Sequence, residues 1–352
     1  MKKYITMFLA CFMMISCLSG CARGSQNNED NSAPTSSDAT VKTEKGKLQI
    51  VTTIFPAYDW VKSILGEEAG NAEITLLLDN GVDLHSYQAN AKDILKISNC
   101  DLFIYVGGES DQWAEDALQE ATNPDMEVIN LLEVLGSSAK EEEVIEGMEA
   151  EHEHEESGKE EEHEHEESDE EEEHEYDEHV WLSLKNAQTL CKTIAKTMEK
   201  TDPYNAKKYQ ENVKSYTEKL AALDMQYKKA IDSSAQKTLL FGDRFPFRYL
   251  VDDYRLSYYA AFAGCSSETE ASFETITFLA GKVDELSLQT VLTIEKSDQK
   301  IAKTIIENTK TKDQKILSLD SMQSTTSQDI SDGATYLSAM ENNLNVLKEA
   351  LK

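Results

Sequence analysis

The sequence predicts an α/β protein of two pseudo-symmetric β/α lobes, each with a roughly four-stranded parallel sheet, joined by a long backbone helix. Eight strand-like apolar runs fall into two sets of four, with helical patterns between successive runs. Strands that alternate with helices build parallel sheets. Between the two sets lies one uninterrupted helical stripe. A third observation is charge: of the net −32, residues 141–178 contribute −22, from 23 Asp and Glu against one Lys, so the rest of the chain carries only −10.

The first set of runs covers 48–54, 73–78, 102–106 and 126–130, and the second 238–242, 256–262, 290–294 and 315–319. Between them Asp202-Pro203 reads as a helix start, with Asp as N-cap and Pro at the first helical position. From there Ala206, Tyr209, Val213, Tyr216, Leu220, Leu223, Tyr227 and Ala230 recur at spacings of three and four, the period of one helix face. A helix of about 30 residues is roughly 45 Å long, enough to span two lobes. The aromatic group around 245–262 has few basic neighbours and reads as core and lobe-interface packing rather than a nucleic-acid platform. The acidic chain lacks the basic patches that nucleic acid requires.

The N-terminus carries Lys2 and Lys3, an apolar stretch over 5–15, and Leu18-Ser19-Gly20-Cys21. The apolar run is too short to span a bilayer, so it reads as a secretory signal. Leu-Ser-Gly-Cys resembles a bacterial lipobox, which would make Cys21 the lipidated first residue; the alternative is an ordinary cleaved signal with an incidental cysteine. Residues 22–46 are polar and without apolar period, a flexible tether. The predicted organisation is a signal over 1–20, lipidated cysteine and tether over 21–46, a first lobe over 47–184, linking helices over 185–236 and a second lobe over 237–352. Cys11 and Cys17 leave with the signal, and Cys100, Cys191 and Cys265 show no paired spacing, which speaks against a disulfide framework or a cysteine-rich zinc module. A monomer held to the membrane through the lipid is expected.

Residues 141–178, dense in repelling charge, read as a disordered loop. Five of the seven histidines, His152, His154, His163, His165 and His174, lie in it, and imidazole beside carboxylate is ligand chemistry for zinc and its neighbours. The bland alternative is a solvated acidic loop. The other two histidines fall at element junctions. His85 follows the strand run 73–78, at the carboxyl end where open α/β sheets bind ligands. His179 ends the acidic loop, just before Val180-Trp181-Leu182.

Val82-Asp83-Leu84-His85-Ser86-Tyr87 and Asp177-Glu178-His179-Val180-Trp181-Leu182 resemble the first two ligand motifs of the zinc- and manganese-binding solute-binding proteins of ABC importers, the ZnuA-like family. Thr201-Asp202-Pro203-Tyr204-Asn205-Ala206 resembles the start of that family's backbone helix, and residues 336–344 its C-terminal helix. The resemblance implies two α/β lobes with the metal between them, ligands His85, His179 and Asp320, zinc as the metal with manganese or copper as alternatives, and a permease and ATPase as partners. It also implies a third histidine at the start of the second lobe, where this sequence reads Phe241-Gly242-Asp243-Arg244, with Gly242 at the histidine position. Candidates for the missing ligand are Asp243, Cys265, Glu268 and Glu270. Asp243 has a competing reading as a partner of Arg244, and Cys265 as a buried, inert thiol; a thiolate would favour zinc or copper over manganese. The implied activity is capture of zinc and hand-off to the permease, with no turnover. No His-Glu-x-x-His or Gly-x-Ser-x-Gly motif supports a hydrolase. A surface adhesion or metal-buffering lipoprotein is the alternative.

Overall fold

In the computed structural model, which describes residues 46–149, 175–264, 266 and 270–352, the two sets of apolar runs form two separate sheets. The first contains β1 (Leu48–Thr52), β2 (Ala72–Leu76), β3 (Leu102–Tyr105) and β4 (Glu127–Asn130). The second contains β5 (Thr238–Phe245), β6 (Ser257–Ala263), β7 (Thr290–Ile294) and β8 (Lys315–Leu319). All pairings are parallel, in the orders β2-β1-β3-β4 and β6-β5-β7-β8, so the second sheet repeats the topology of the first. Each order reverses direction beside its first strand, and the carboxyl ends there form the crevice in which such sheets bind ligands.

Helices cross over between strands: α1 (Phe55–Leu65), α2 (Ala91–Asn99), α3 (Trp113–Gln119) and α4 (Leu131–Leu135) in the first lobe. The linking helices are α5 (Leu184–Thr201) and α6 (Ala206–Ser233). The second lobe adds α7 (Arg248–Tyr254), α8 (Phe273–Leu286), α9 (Lys300–Glu307), α10 (Ser327–Ser331) and α11 (Tyr336–Ala350). Side-chain caps start them where the sequence offers acceptors: Asn90 and Asp93 form a capping box on α2, Ser183 caps α5 and Ser272 caps α8. Among the described residues no helix is long and apolar enough to cross a membrane.

α6 is the predicted stripe. Its 28 residues extend about 42 Å, and Tyr209, Tyr216, Leu220, Leu223 and Tyr227 are buried along one face. Near its start Asn212 donates to the Ile64 carbonyl of α1 at 2.9 Å. Near its end the Tyr227 hydroxyl donates to the Met340 carbonyl of α11 at 2.5 Å. The helix therefore grips both lobes. It does not begin at Asp202. α5 runs to Thr201, and the Asp202 carboxylate accepts from Asn205 at 2.8 Å and from the Tyr209 hydroxyl at 2.7 Å, fixing a corner before α6. Pro203 lacks the N–H that would carry α5 onward.

The ends of the acidic stretch also depart from expectation. Residues 141–149 and 175–178 are not free loop but a strap against the second lobe. Lys140 pairs with Asp252 at 2.7 Å and Glu143 with Arg248 at 3.2 Å. The Glu149 amide donates to the Ala261 carbonyl at 3.0 Å, adding a bridge to the edge strand β6. Their carboxylates find specific cations and donors there, which composition alone cannot reveal. His152, His154, His163, His165 and His174 lie outside the described residues, as do Cys21, Cys265 and Glu268.

One irregularity in β5 matters for the site. Its register on β6 shifts between Phe241 and Arg244. At Gly242 a Cβ would lie 2.6 Å from the Ala302 Cα of α9. Position 242 therefore has no room for a histidine, and the gap expected there is filled by helix backbone. Gly242→Ala should destabilise the protein by about 1–3 kcal/mol, read as a lowered urea midpoint with an unchanged denaturant slope.

Candidate metal centre

After β2 the chain passes Gly81, at φ +79°, and enters a short 3-10 turn at Leu84–Ser86. Asp83 caps that turn by accepting from the His85 amide at 3.1 Å. The turn projects His85 toward the second lobe. His179 stands just before a second 3-10 turn, Val180–Leu182, and its amide is held by Asp177 Oδ1 at 2.8 Å. The two loops bring the imidazoles together: Nε2 of His85 lies 3.2 Å from Nε2 of His179, with ring centroids 5.1 Å apart. His179 is fully buried, its ring edge-on to Trp181.

The opposite ring nitrogens are already engaged. His179 Nδ1 is 3.0 Å from Asp177 Oδ1, which only accepts, so this nitrogen carries the proton. His85 Nδ1 is 2.7 Å from Ser110 Oγ. Glu178 Oε2, which only accepts, lies 3.4 Å from the same nitrogen and favours the proton on His85 Nδ1. Both Nε2 lone pairs are thereby aimed into the same 3.2 Å gap, which only a shared proton or a cation reconciles. Two imidazole nitrogens on a tetrahedral zinc, at about 2.0–2.1 Å each, stand roughly 3.3 Å apart, so the pair fits such an ion. Behind them, Glu178 Oε2 is buried without a hydrogen bond, 3.4 Å from His85 Nδ1, and would be steadied by positive charge on the pair.

Titration follows the same electrostatics. Burial, then the neighbouring His179, pushes His85 down to about 3. Burial also opposes charge on His179, but the Asp177 carboxylate outweighs it and the group is raised. The pair thus accepts one proton readily, on His179, and resists a second. Burial and the adjacent Glu178 charge raise Asp111, behind them, to about 7.

On the open side stand Asp83, Arg244 and Gln323. Asp83 Oδ1 is 3.9 Å from His85 Nε2, and its Oδ2 accepts from Arg244 Nη2 at 2.7 Å. Oriented to face acceptors, the Gln323 amide nitrogen donates to the two Asp83 oxygens at 2.9 and 3.2 Å, while its carbonyl accepts from protonated His179 Nε2 at 3.3 Å. Beyond this group lies a cavity of ≈ 490 Å³ lined by Asp243, Arg244, Glu295, Lys296 and Asp298 among others. Gly264 backs the His179 ring, where a Cβ would sit 3.1 Å from Cε1.

The other sequence candidates are placed differently. Asp243 accepts from the Arg244 amide at 2.9 Å and from the Ile294 amide at 3.4 Å, bracing the shifted end of β5 against β7. Asp320 accepts from the Met322 amide at 2.8 Å while Asn343 clamps its backbone. Burial and Glu295 push its carboxyl up to about 6. Glu270 is exposed. Among the described residues no three His, Cys, Asp or Glu side chains converge as they stand to hold a metal. The sequence assigned no role to Asp177, Ser110 or Gln323, and gave Arg244 only a pairing with Asp243, whereas its guanidinium bonds Asp83. Asp177, two residues before His179, was legible in principle, since an Asp-x-His pair places carboxylate and ring on one turn.

A family model described as zinc-uptake complex component A, periplasmic (ZnuA), matches residues 50–350. The zinc-binding lipoprotein AdcA of Streptococcus pneumoniae is 29% identical over 312 residues, covering 88% of this chain and 56% of the relative. The chain thus spans about half the length of such relatives. The high-affinity zinc uptake system protein ZnuA of Bacillus subtilis is 28% identical, covering 99% of this chain and 98% of the relative. The crystal structure of the Zn(II)-bound ZnuA-like domain of S. pneumoniae AdcA superposes with a TM-score of 0.65 at 25% identity, over 87% of this chain and 99% of that one. The chain belongs to the ZnuA family.

Proposed function

We propose that this chain is the extracytoplasmic solute-binding component of an ABC importer, capturing zinc between its lobes and delivering it to a membrane permease and its ATPase. The observation that carries this reading is the His85–His179 pair, its two Nε2 atoms 3.2 Å apart and both Nδ1 atoms engaged from behind. Neutral imidazoles suit zinc or copper better than manganese. Asp320 is the proposed acidic ligand from the second lobe, reached by a small rearrangement of the 320–324 segment. Cys21 is the proposed lipid anchor, and the acidic histidine-rich stretch a weak collector that raises local metal concentration. The protein binds and releases, and performs no chemistry on its cargo.

His85→Ala and His179→Ala should each weaken zinc binding more than about 100-fold, measured by calorimetry against a competing chelator. Removing only 150–174 should leave that tight site intact; the cut must spare 175–178, because Asp177 orients His179. Loss of all tight binding with 150–174 would favour a metal-buffering lipoprotein instead.

Asp177→Asn keeps the shape but loses the charge that fixes the His179 tautomer, and should cost about 10–100-fold in affinity with stoichiometry unchanged.

The pH dependence follows from the pair. Below the raised pKa of His179 a proton occupies the nitrogen that zinc needs, so affinity should fall about tenfold per pH unit, beginning above the ordinary histidine value of 6.5. His85 takes up no proton until near pH 3, so the slope should stay at one proton between pH 7 and 5. A two-proton slope in apparent Kd against pH would contradict the assignment.

A further inference from the structure

The carboxylate nearest the open side of the imidazole pair already has another partner. Asp83 caps the turn that carries His85 and belongs to the first lobe; Arg244 belongs to β5 of the second. One Asp83 oxygen lies 3.9 Å from His85 Nε2 while the other is bonded to Arg244 at 2.7 Å. Gln323 ties the same carboxylate to His179 Nε2. We propose that Asp83 is a metal ligand with two alternative partners, so that a divalent metal entering between His85 and His179 exchanges an inter-lobe ion pair for a metal–carboxylate bond. This rests on the reading of the histidine pair as the metal site.

Distance and charge both favour the exchange. Ligand atoms on a tetrahedral zinc stand roughly 3.3 Å apart, and Asp83 Oδ1 already lies 3.9 Å from His85 Nε2. Two neutral imidazoles leave a dication uncompensated, and Asp83 supplies charge from the same turn. The guanidinium of Arg244 is permanently charged, and the ion that attracts Asp83 repels it. The cavity beside it, where Asp243, Glu295 and Asp298 outnumber Lys296 on the walls, offers the guanidinium a place to withdraw to. Position 244 is aimed at the pair by the register shift in β5, whereas Gly242 is turned into α9.

A purely structural role would make Asp83–Arg244 a static brace, indifferent to metal. The two readings part in a double-mutant cycle on the full chain, using Asp83→Asn, Arg244→Gln and both together. Each protein is titrated with zinc against a competing chelator, its cobalt(II) absorption recorded, and its melting temperature measured with and without zinc. Asp83→Asn should lose about 100-fold in affinity and shift the cobalt band. Arg244→Gln, which leaves every proposed ligand in place, should bind about tenfold more tightly. The coupling between the two positions should be present in metal-stripped protein and absent once zinc is bound. Affinity unchanged and an unshifted cobalt band in Asp83→Asn, or a coupling that survives loading, would overturn the proposal. Should Asp83→Asn fold poorly, the Arg244→Gln affinity decides alone, and weaker or equal binding counts against it. If His85→Ala and His179→Ala abolish tight binding while Asp83→Asn does not, only this proposal fails; if the histidine variants also bind tightly, the metal-site reading fails with it.

Discussion

The geometry of the cleft depends on α6 holding the two lobes at a fixed separation. Its buried tyrosines are bonded at both ends, Tyr209 to the corner at Asp202 and Tyr227 to α11 in the second lobe, while Asn212 reaches α1 in the first. A helix of 28 residues with one face packed along most of its length resists bending, because bending would open that face to water. The strap adds a second crossing. The Tyr249 hydroxyl of α7 accepts from the Lys140 amide at 3.0 Å and donates to the Asp177 carbonyl at 2.9 Å. Lobe separation is thereby tied to the residue that orients His179. With both crossings in place, changes at the site are confined to side-chain rotation and short loops.

Behind the imidazoles the protein concentrates carboxyl groups where water cannot reach. Asp111 and Glu178 are both raised by burial, and Asp177 is nearly as deep. Burying carboxylates is costly unless something positive answers them. Asp111 Oδ2 is answered by the Val106 and Gly107 amides while its Oδ1 has no partner, and Glu178 Oε1 is answered by the Ser110 amide. Glu178 Oε2 is not, although it lies closest to His85. Such a cradle favours a cation at the Nε2 atoms over a neutral pair, through second-layer groups that never touch the ion.

Much of this was legible in the sequence. All eight strands fall within a few residues of the apolar runs, because a strand buried on both faces by crossover helices is a short continuous apolar segment. His85 was legible from its place after a strand, and α6 from its period. Three features were not. The pairing of Arg244 with Asp83 was hidden, because the register of β5 shifts just before it and Asp83 lies on a distant turn of the other lobe. The strap was hidden because 141–149 reads as part of a charge run, and its order comes from Arg248, Tyr258 and the free edge of β6, all distant in sequence. The corner at Asp202 was misread because a carboxylate before proline signals an N-cap whether or not its own side chain is claimed by Asn205 and Tyr209.

Under the proposed function, a site that gives its cargo up needs opposition as well as attraction, and two kinds stand side by side. A proton on His179 competes for the same nitrogen, and that competition fades as pH rises through the raised value of the group. The Arg244 guanidinium, a fixed positive charge, opposes a dication directly. Its hold on Asp83 joins the lobes at the cleft, so whatever shifts β5 relative to the Leu84–Ser86 turn alters the balance between guanidinium and metal. Under the proposed function, a membrane permease pressing on the second lobe would favour release by moving one charged side chain, with α6 kept straight.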